Sequence, residues 1–182
     1  MVRRYTATAI ALHWLLVLLV VCSAALGLYM VGLTLSPAKL KLYSWHKWVG
    51  VTIFMLAVLR AAWRLTHPAP PLPDPTPHWQ RKAAAVSHLL LYLLLLVIPV
   101  SGWLMSSALG VQTVYLGLVP LPDLLAKDKA LGELLKLVHV TLNCTLAALV
   151  AVHAAAALRH HFVNRDDVLQ RMLPFIRPPT PR

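Results

Sequence analysis

The stretch KLVHVTLNCTLAALVAVHAAAALRHHF, residues 136–162, decides how the chain is read. It is apolar enough to cross a bilayer, yet it carries four histidines. His139 and His153 are fourteen residues apart. That is about 3.9 helical turns, so both point to the same side of one helix, roughly 21 Å apart along its axis. Ionisable groups inside a membrane span are costly and mark function by default. One oily helix therefore offers two imidazoles at two depths.

The rest of the chain suits such a helix. Of its 182 residues, 59% are hydrophobic, and the mean hydropathy is +0.69, above that of an ordinary soluble domain. Seventeen Lys and Arg against six Asp and Glu give a formal charge of +11. A basic balance can signal nucleic acid, but here the basic residues fall between long apolar runs, which favours membrane lipid and no nucleic acid. A span needs roughly 20 apolar residues, and four stretches qualify: 8–33, 43–65, 84–106 and 134–158. The expected fold is an all-α integral membrane four-helix bundle, a single domain over 1–182 without an internal repeat.

The N-terminus is basic and then apolar, with no small-residue cleavage site, so it reads as a retained first span. Cys22 and Cys144 lie in apolar runs without CxxC or zinc spacing and read as small buried packing residues. Arg60 and Arg64 close the second span and read as snorkelling to the interface. The link 36–42 is short. Residues 67–78, HPAPPLPDPTPH, are too rich in proline for a helix. The link 107–133 is long enough for a small interfacial segment, and the final RPPTPR reads as frayed. Six lysines (Lys39, Lys41, Lys47, Lys127, Lys129 and Lys136) flank the spans on one side, against eleven basic residues on the other. The basic excess places both termini in the cytoplasm.

Depth pairs the histidines. His46 opens the second span near the outer face, at the level of His139. His13 lies just inside the first span near the inner face, at the level of His153. Two facing imidazoles in an apolar bundle suit haem b, whose iron takes two axial ligands. Zinc wants three or four ligands per site. Gly50, four residues after His46 and on the same helix face, leaves room for a porphyrin edge. Taken singly, each histidine could equally serve as a hydrogen-bonding group across helices. His88, about a turn into the third span, stands at the level of His13 and is an alternative ligand, or a partner for a haem propionate or a helix end. His160 is seven residues past His153 and shares its side. A donor there suits the carbonyl oxygen of a quinone. His161 points elsewhere, toward solvent or headgroups.

The combination of AIALHWL around His13, WHKWVG around His46, RLTHPAPP, SHLLLYLLLLVIPVSGWLM, VHVTLN, HAAAALRHHF and LQRMLP resembles the prokaryotic cytochrome b561 family. These are four-helix dihaem proteins of the bacterial cytoplasmic (inner) membrane. The resemblance covers nearly the whole chain. It implies that His13, His46, His139 and His153 are the axial ligands of two haem b groups, paired His13 with His153 and His46 with His139, and that His88 is not a ligand. Within the family the chain looks most like a superoxide:ubiquinone oxidoreductase, with superoxide oxidised at the outer haem and ubiquinone reduced near the inner one. His160 then falls at a quinone-contacting position. The branch can carry a basic residue in the proline loop, where this chain has Asp74. The outer lysines, Lys47 above all because it adjoins His46, would attract superoxide. Two other functions fit the same residues. One is a membrane anchor and electron conduit of a larger dehydrogenase or hydrogenase, docking a redox partner outside; the other is a non-redox bundle.

Overall fold

The computed structural model describes residues 4–73, 76–173 and 175–176. Four helices form: α1 (Ala7–Val31), α2 (Pro37–Thr66), α3 (His78–Ala108) and α4 (Lys129–Arg159). All four are long and apolar enough to cross a membrane. Their starts are set by local chemistry. The Thr6 hydroxyl accepts from the Ala9 amide, the Ser36 hydroxyl from Lys39 and the Asp128 carboxylate from Leu131, each satisfying an otherwise orphaned first-turn donor. Pro37 follows Ser36 where its missing amide hydrogen costs nothing. α2 and α4 are capped in their polar flanks and α3 begins after Pro77 without a side-chain cap, so all three begin five or six residues before the apolar runs that announce them.

The bundle is inverted relative to a soluble one. Its buried apolar residues are few, Leu16, Ile53, Ala57 and Leu146 among them, whereas Leu18, Val21, Leu28, Leu93 and Val152 are exposed on its outside. That surface faces lipid, where no hydrophobic penalty applies. Cys22 and Cys144 are also exposed, which corrects the expectation that they pack inside. α1 packs on α2, α2 on α3, and α3 most extensively on α4. Close backbone packing of α4 against α1 or α2 is slight by comparison. Pro99 lies inside α3, a break in the hydrogen-bond ladder that neighbouring helices make tolerable in a membrane.

The long third link contains a hairpin of β1 (Val114–Tyr115) and β2 (Val119–Pro120), antiparallel with Tyr115 opposite Val119. Its turn passes through Leu116 and Gly117 at φ 54° and 72°, the mirror-image turn that matches strand twist. The hairpin is tied down onto α2: Trp48 Nε1 donates to the Val114 carbonyl at 2.6 Å, and the Thr52 and Tyr115 hydroxyls meet at 3.0 Å. At the other end, α4 passes into a π-helical turn (His160–Asn164), closed by Arg165 in the left-handed region. The chain then folds back. Trp14 Nε1 donates to the Met172 carbonyl, and buried Arg171 binds both Asp167 and the Pro71 carbonyl of the proline loop. Asp74 and the final RPPTPR lie outside the described residues.

Candidate cofactor site

The interior histidines are brought together as depth alone suggested. His46 of α2 faces His139 of α4 with ring centroids 6.4 Å apart and planes at 84°. His13 of α1 faces His153 of α4, also at 6.4 Å, with planes at 67°. Both pairs bridge the helix faces whose backbones pack least closely, between α4 and its partners α1 and α2. An imidazole nitrogen bonds a metal at about 2.0 Å and its ring centre lies about 1.1 Å further, so one metal between two opposed rings sets centroids roughly 6.2 Å apart. Both pairs fit that separation. His88 lies closer to His153, at 5.4 Å, too near to share an ion coaxially with it.

The His46–His139 pair is oriented by its surroundings. The Ser101 hydroxyl gives its one proton to the Ile98 carbonyl at 2.7 Å, so at 2.9 Å it accepts from His139 Nδ1. His46 Nδ1 donates to the Ser23 carbonyl at 3.1 Å, with the Ser23 hydroxyl at 3.2 Å. Each Nδ1 proton is thereby engaged, which leaves Nε2 of both rings as the free electron pair, the arrangement by which second partners fix a metal-binding tautomer. Two glycines seat the rings. A Cβ on Gly102 would come within 3.1 Å of His139 Cε1, and one on Gly27 within 3.4 Å of His46 Cε1. Gly50 meets open space instead. It lines a cleft that holds His46 and His139 and is walled by Ile53, Leu94, Leu95 and Ile98. A flat apolar macrocycle fits such a wall.

The serines and glycines were missed by sequence reasoning. Their work depends on the register between neighbouring helices, and the one signal available was their position beside apolar runs. The Lys47 ammonium donates to the Val111 carbonyl at 2.9 Å, so it anchors the hairpin link while keeping its charge. One other expectation changes. Arg60 turns inward: its Nη1 donates to the Ala9 carbonyl at 2.7 Å, and its guanidinium lies 5.9 Å from the Tyr92 ring.

Near the inner end, His160 is half-buried and its Nδ1 lies 2.5 Å from Asp166 Oδ2. The acidic partner is supplied by the fold-back after the π turn, a bend the spacing of His153 and His160 does not announce. His161 is also half-buried, and its Nδ1 is enclosed without a hydrogen-bond partner among the described residues, contrary to the expectation of a solvated ring.

A bundle of four lipid-facing helices with imidazole pairs at two depths is the architecture of a membrane electron-transfer cytochrome. Residues 4–175 match the family model described as prokaryotic cytochrome b561. Among curated proteins, the chain is 38% identical to "Cytochrome b561 homolog 2" of Escherichia coli (strain K12), over 94% of this chain and 92% of that protein. It is 30% identical to "Cytochrome b561 homolog 1" of the same organism, over 94% and 98%. It is also 30% identical to "Probable superoxide oxidase CybB" of Yersinia pestis, over 94% and 97%. The chain belongs to the prokaryotic cytochrome b561 family: it is a multi-pass protein of the bacterial inner membrane, and its work is haem-based electron transfer.

Proposed function

We propose that the protein is a dihaem b cytochrome that oxidises superoxide at the outer face and reduces ubiquinone near the inner face. The observation that carries the reading is the pair of 6.4 Å imidazole couples at two depths. His46 and His139 hold the outer haem, and His13 and His153 the inner one. When bound, the two haems supply one-electron carriers spanning most of the membrane. The likeness to a superoxide oxidase supports the choice of donor. The balance is simple: two superoxide anions each lose one electron to become dioxygen, and one quinone takes two electrons and two protons to become the quinol.

The chain's own residues do the rest. The four imidazoles would be taken up in holding the haems, so the outer histidines would not themselves bind superoxide. Lys41, Lys47, Lys127 and Lys129 form the outer cationic field that draws the anion in, while Lys136 is paired with Glu133 and Lys39 caps the carbonyl end of α1. Inside, His160 donates to a quinone carbonyl. The Asp166 carboxylate at its Nδ1 braces the ring for that contact, and the basic excess keeps this end and both termini in the cytoplasm.

Single-turnover mixing tests the proposal. Superoxide should reduce the haems, and added ubiquinone should reoxidise them. Haems that ignore superoxide but accept electrons from a co-purifying subunit would instead support the anchor reading. Asp166→Asn should slow reoxidation by quinone about tenfold while leaving haem content unchanged; unchanged reoxidation would remove the His160–Asp166 pair from the quinone site.

A further inference from the structure

The inward face of α2 is one continuous stripe: His46, Gly50, Ile53, Ala57, Arg60 and Arg64, spaced by fours and threes so that all six share a side. Ile53 and Ala57 are buried. Arg60 lies fourteen residues after His46, just as His153 follows His139 on α4, so it stands at the depth of the inner pair. At that depth α2 offers two guanidiniums where at the outer depth it offers an imidazole. Arg60 thus shares its level with His13, His88 and His153, and Arg64 lies one turn further toward the same end. Arg64 Nη1 is buried with no hydrogen-bond partner among the described residues, although its guanidinium leans on the Tyr5 ring at 5.8 Å. The acids of the described inner end are committed elsewhere, Asp166 to His160 and Asp167 to Arg171.

Two half-buried cations with no anion beside them among the described residues are disfavoured, and the enclosed Arg64 Nη1, an orphaned donor, adds its own desolvation cost. The missing partner is a carboxylate or similar oxyanion that arrives with a ligand. We infer that Arg60 and Arg64 form the carboxylate site for the propionates of the inner haem, fixing it with its propionate edge toward α2 and the cytoplasmic end. The inference rests on the dihaem reading and goes beyond the axial ligands. Arg60 is already braced by the Ala9 carbonyl, which makes it the positioned member, and Arg64 presents the free fork. His88, at the level of Arg60 and too close to His153 to share an ion with it, borders the same site and can donate to the second propionate.

Arg64→Gln and Arg64→Lys, each loaded with haem b or with its propionate dimethyl ester, test this. Transfer of haem to excess apomyoglobin is followed in detergent, together with a potentiometric titration. The outer haem is the internal control, and the His46→Ala protein assigns the inner signal. A charge-assisted bond of this kind holds the group about tenfold tighter. Native haem should therefore leave the inner site of Arg64→Gln about tenfold faster than that of the wild type, with Arg64→Lys in between. The inner midpoint should fall, because a positive charge favouring the reduced form has gone. The dimethyl ester should leave the wild type at least about tenfold faster than native haem does, and that difference should be about tenfold smaller in Arg64→Gln, where Arg60 alone of the two arginines remains. If Arg64→Gln keeps the wild-type difference between ester and native haem, the carboxylate site is elsewhere and the arginines serve another oxyanion, such as a lipid phosphate. A chain that binds no haem at all would defeat the dihaem reading itself.

Discussion

At the scale of single residues, the account turns on how rings are held. The four paired histidines are legible in the sequence because they must be intramembrane, and depth along four spans leaves few ways to couple them. What holds them is not legible. Ser101 and Gly102 both come from α3 and both serve His139, yet nothing in the local sequence says that this turn of α3 meets that turn of α4. Gly102→Ala should push His139 off axis. At 3.1 Å the contact is tighter than a ring can ignore, and overpacking of this kind costs about 1–3 kcal/mol. The measurable consequence is partial loss of the outer haem with the inner one retained, read from the haem b bands. Ser101→Ala should leave the haem in place but broaden its titration, since the ring tautomer is then no longer fixed. His88→Ala should leave two haems per chain. Loss of the inner haem there, with retention in His13→Ala, would reassign the inner pair.

At the scale of elements, the four helices are readable from apolar length, but the expected spans start α2 and α4 five or six residues late, because their true starts are set by caps at Ser36 and Asp128. The hairpin was readable only as a long link. Its strands are two residues each, below any periodic signal, and it exists because Trp48, Thr52 and Lys47 on α2 hold it. Leu116 sits in the left-handed region, where a branched side chain costs about 1–2 kcal/mol relative to its ordinary backbone. It is more than half exposed, so little packing is lost on replacement. Leu116→Asn should stabilise the hairpin by about 1 kcal/mol, seen as slower proteolysis of the third link; equal or faster cleavage would argue against the turn described. The π turn after α4 was likewise unreadable, because its determinant, Asp166 reaching back to His160, is a contact made only once the chain has bent.

At the scale of the whole molecule, the bundle is asymmetric. α3 grips α4, and α1 grips α2, but the sides that carry the histidine pairs are loosely closed. A bundle built in this way depends on what lies between its halves. Haem binding to the folded state alone stabilises by mass action, about 4 kcal/mol when free haem exceeds the dissociation constant a thousandfold. Chain produced without haem should therefore melt well below the loaded protein, and haem addition should restore the difference. The proposed direction of electron flow also belongs to this scale. One end of the bundle is closed by the hairpin and carries lysines, and the other by the fold-back that brings Asp166 to His160.

The central claim is that two imidazole couples each clamp one haem. The most direct measurement is haem-to-protein stoichiometry of purified wild-type and His46→Ala protein, with electron paramagnetic resonance of the oxidised iron. The account predicts two low-spin haem b groups per chain, falling to one in His46→Ala with the survivor still low-spin. A wild-type ratio of one, or a ratio of two that survives the loss of His46, would contradict it.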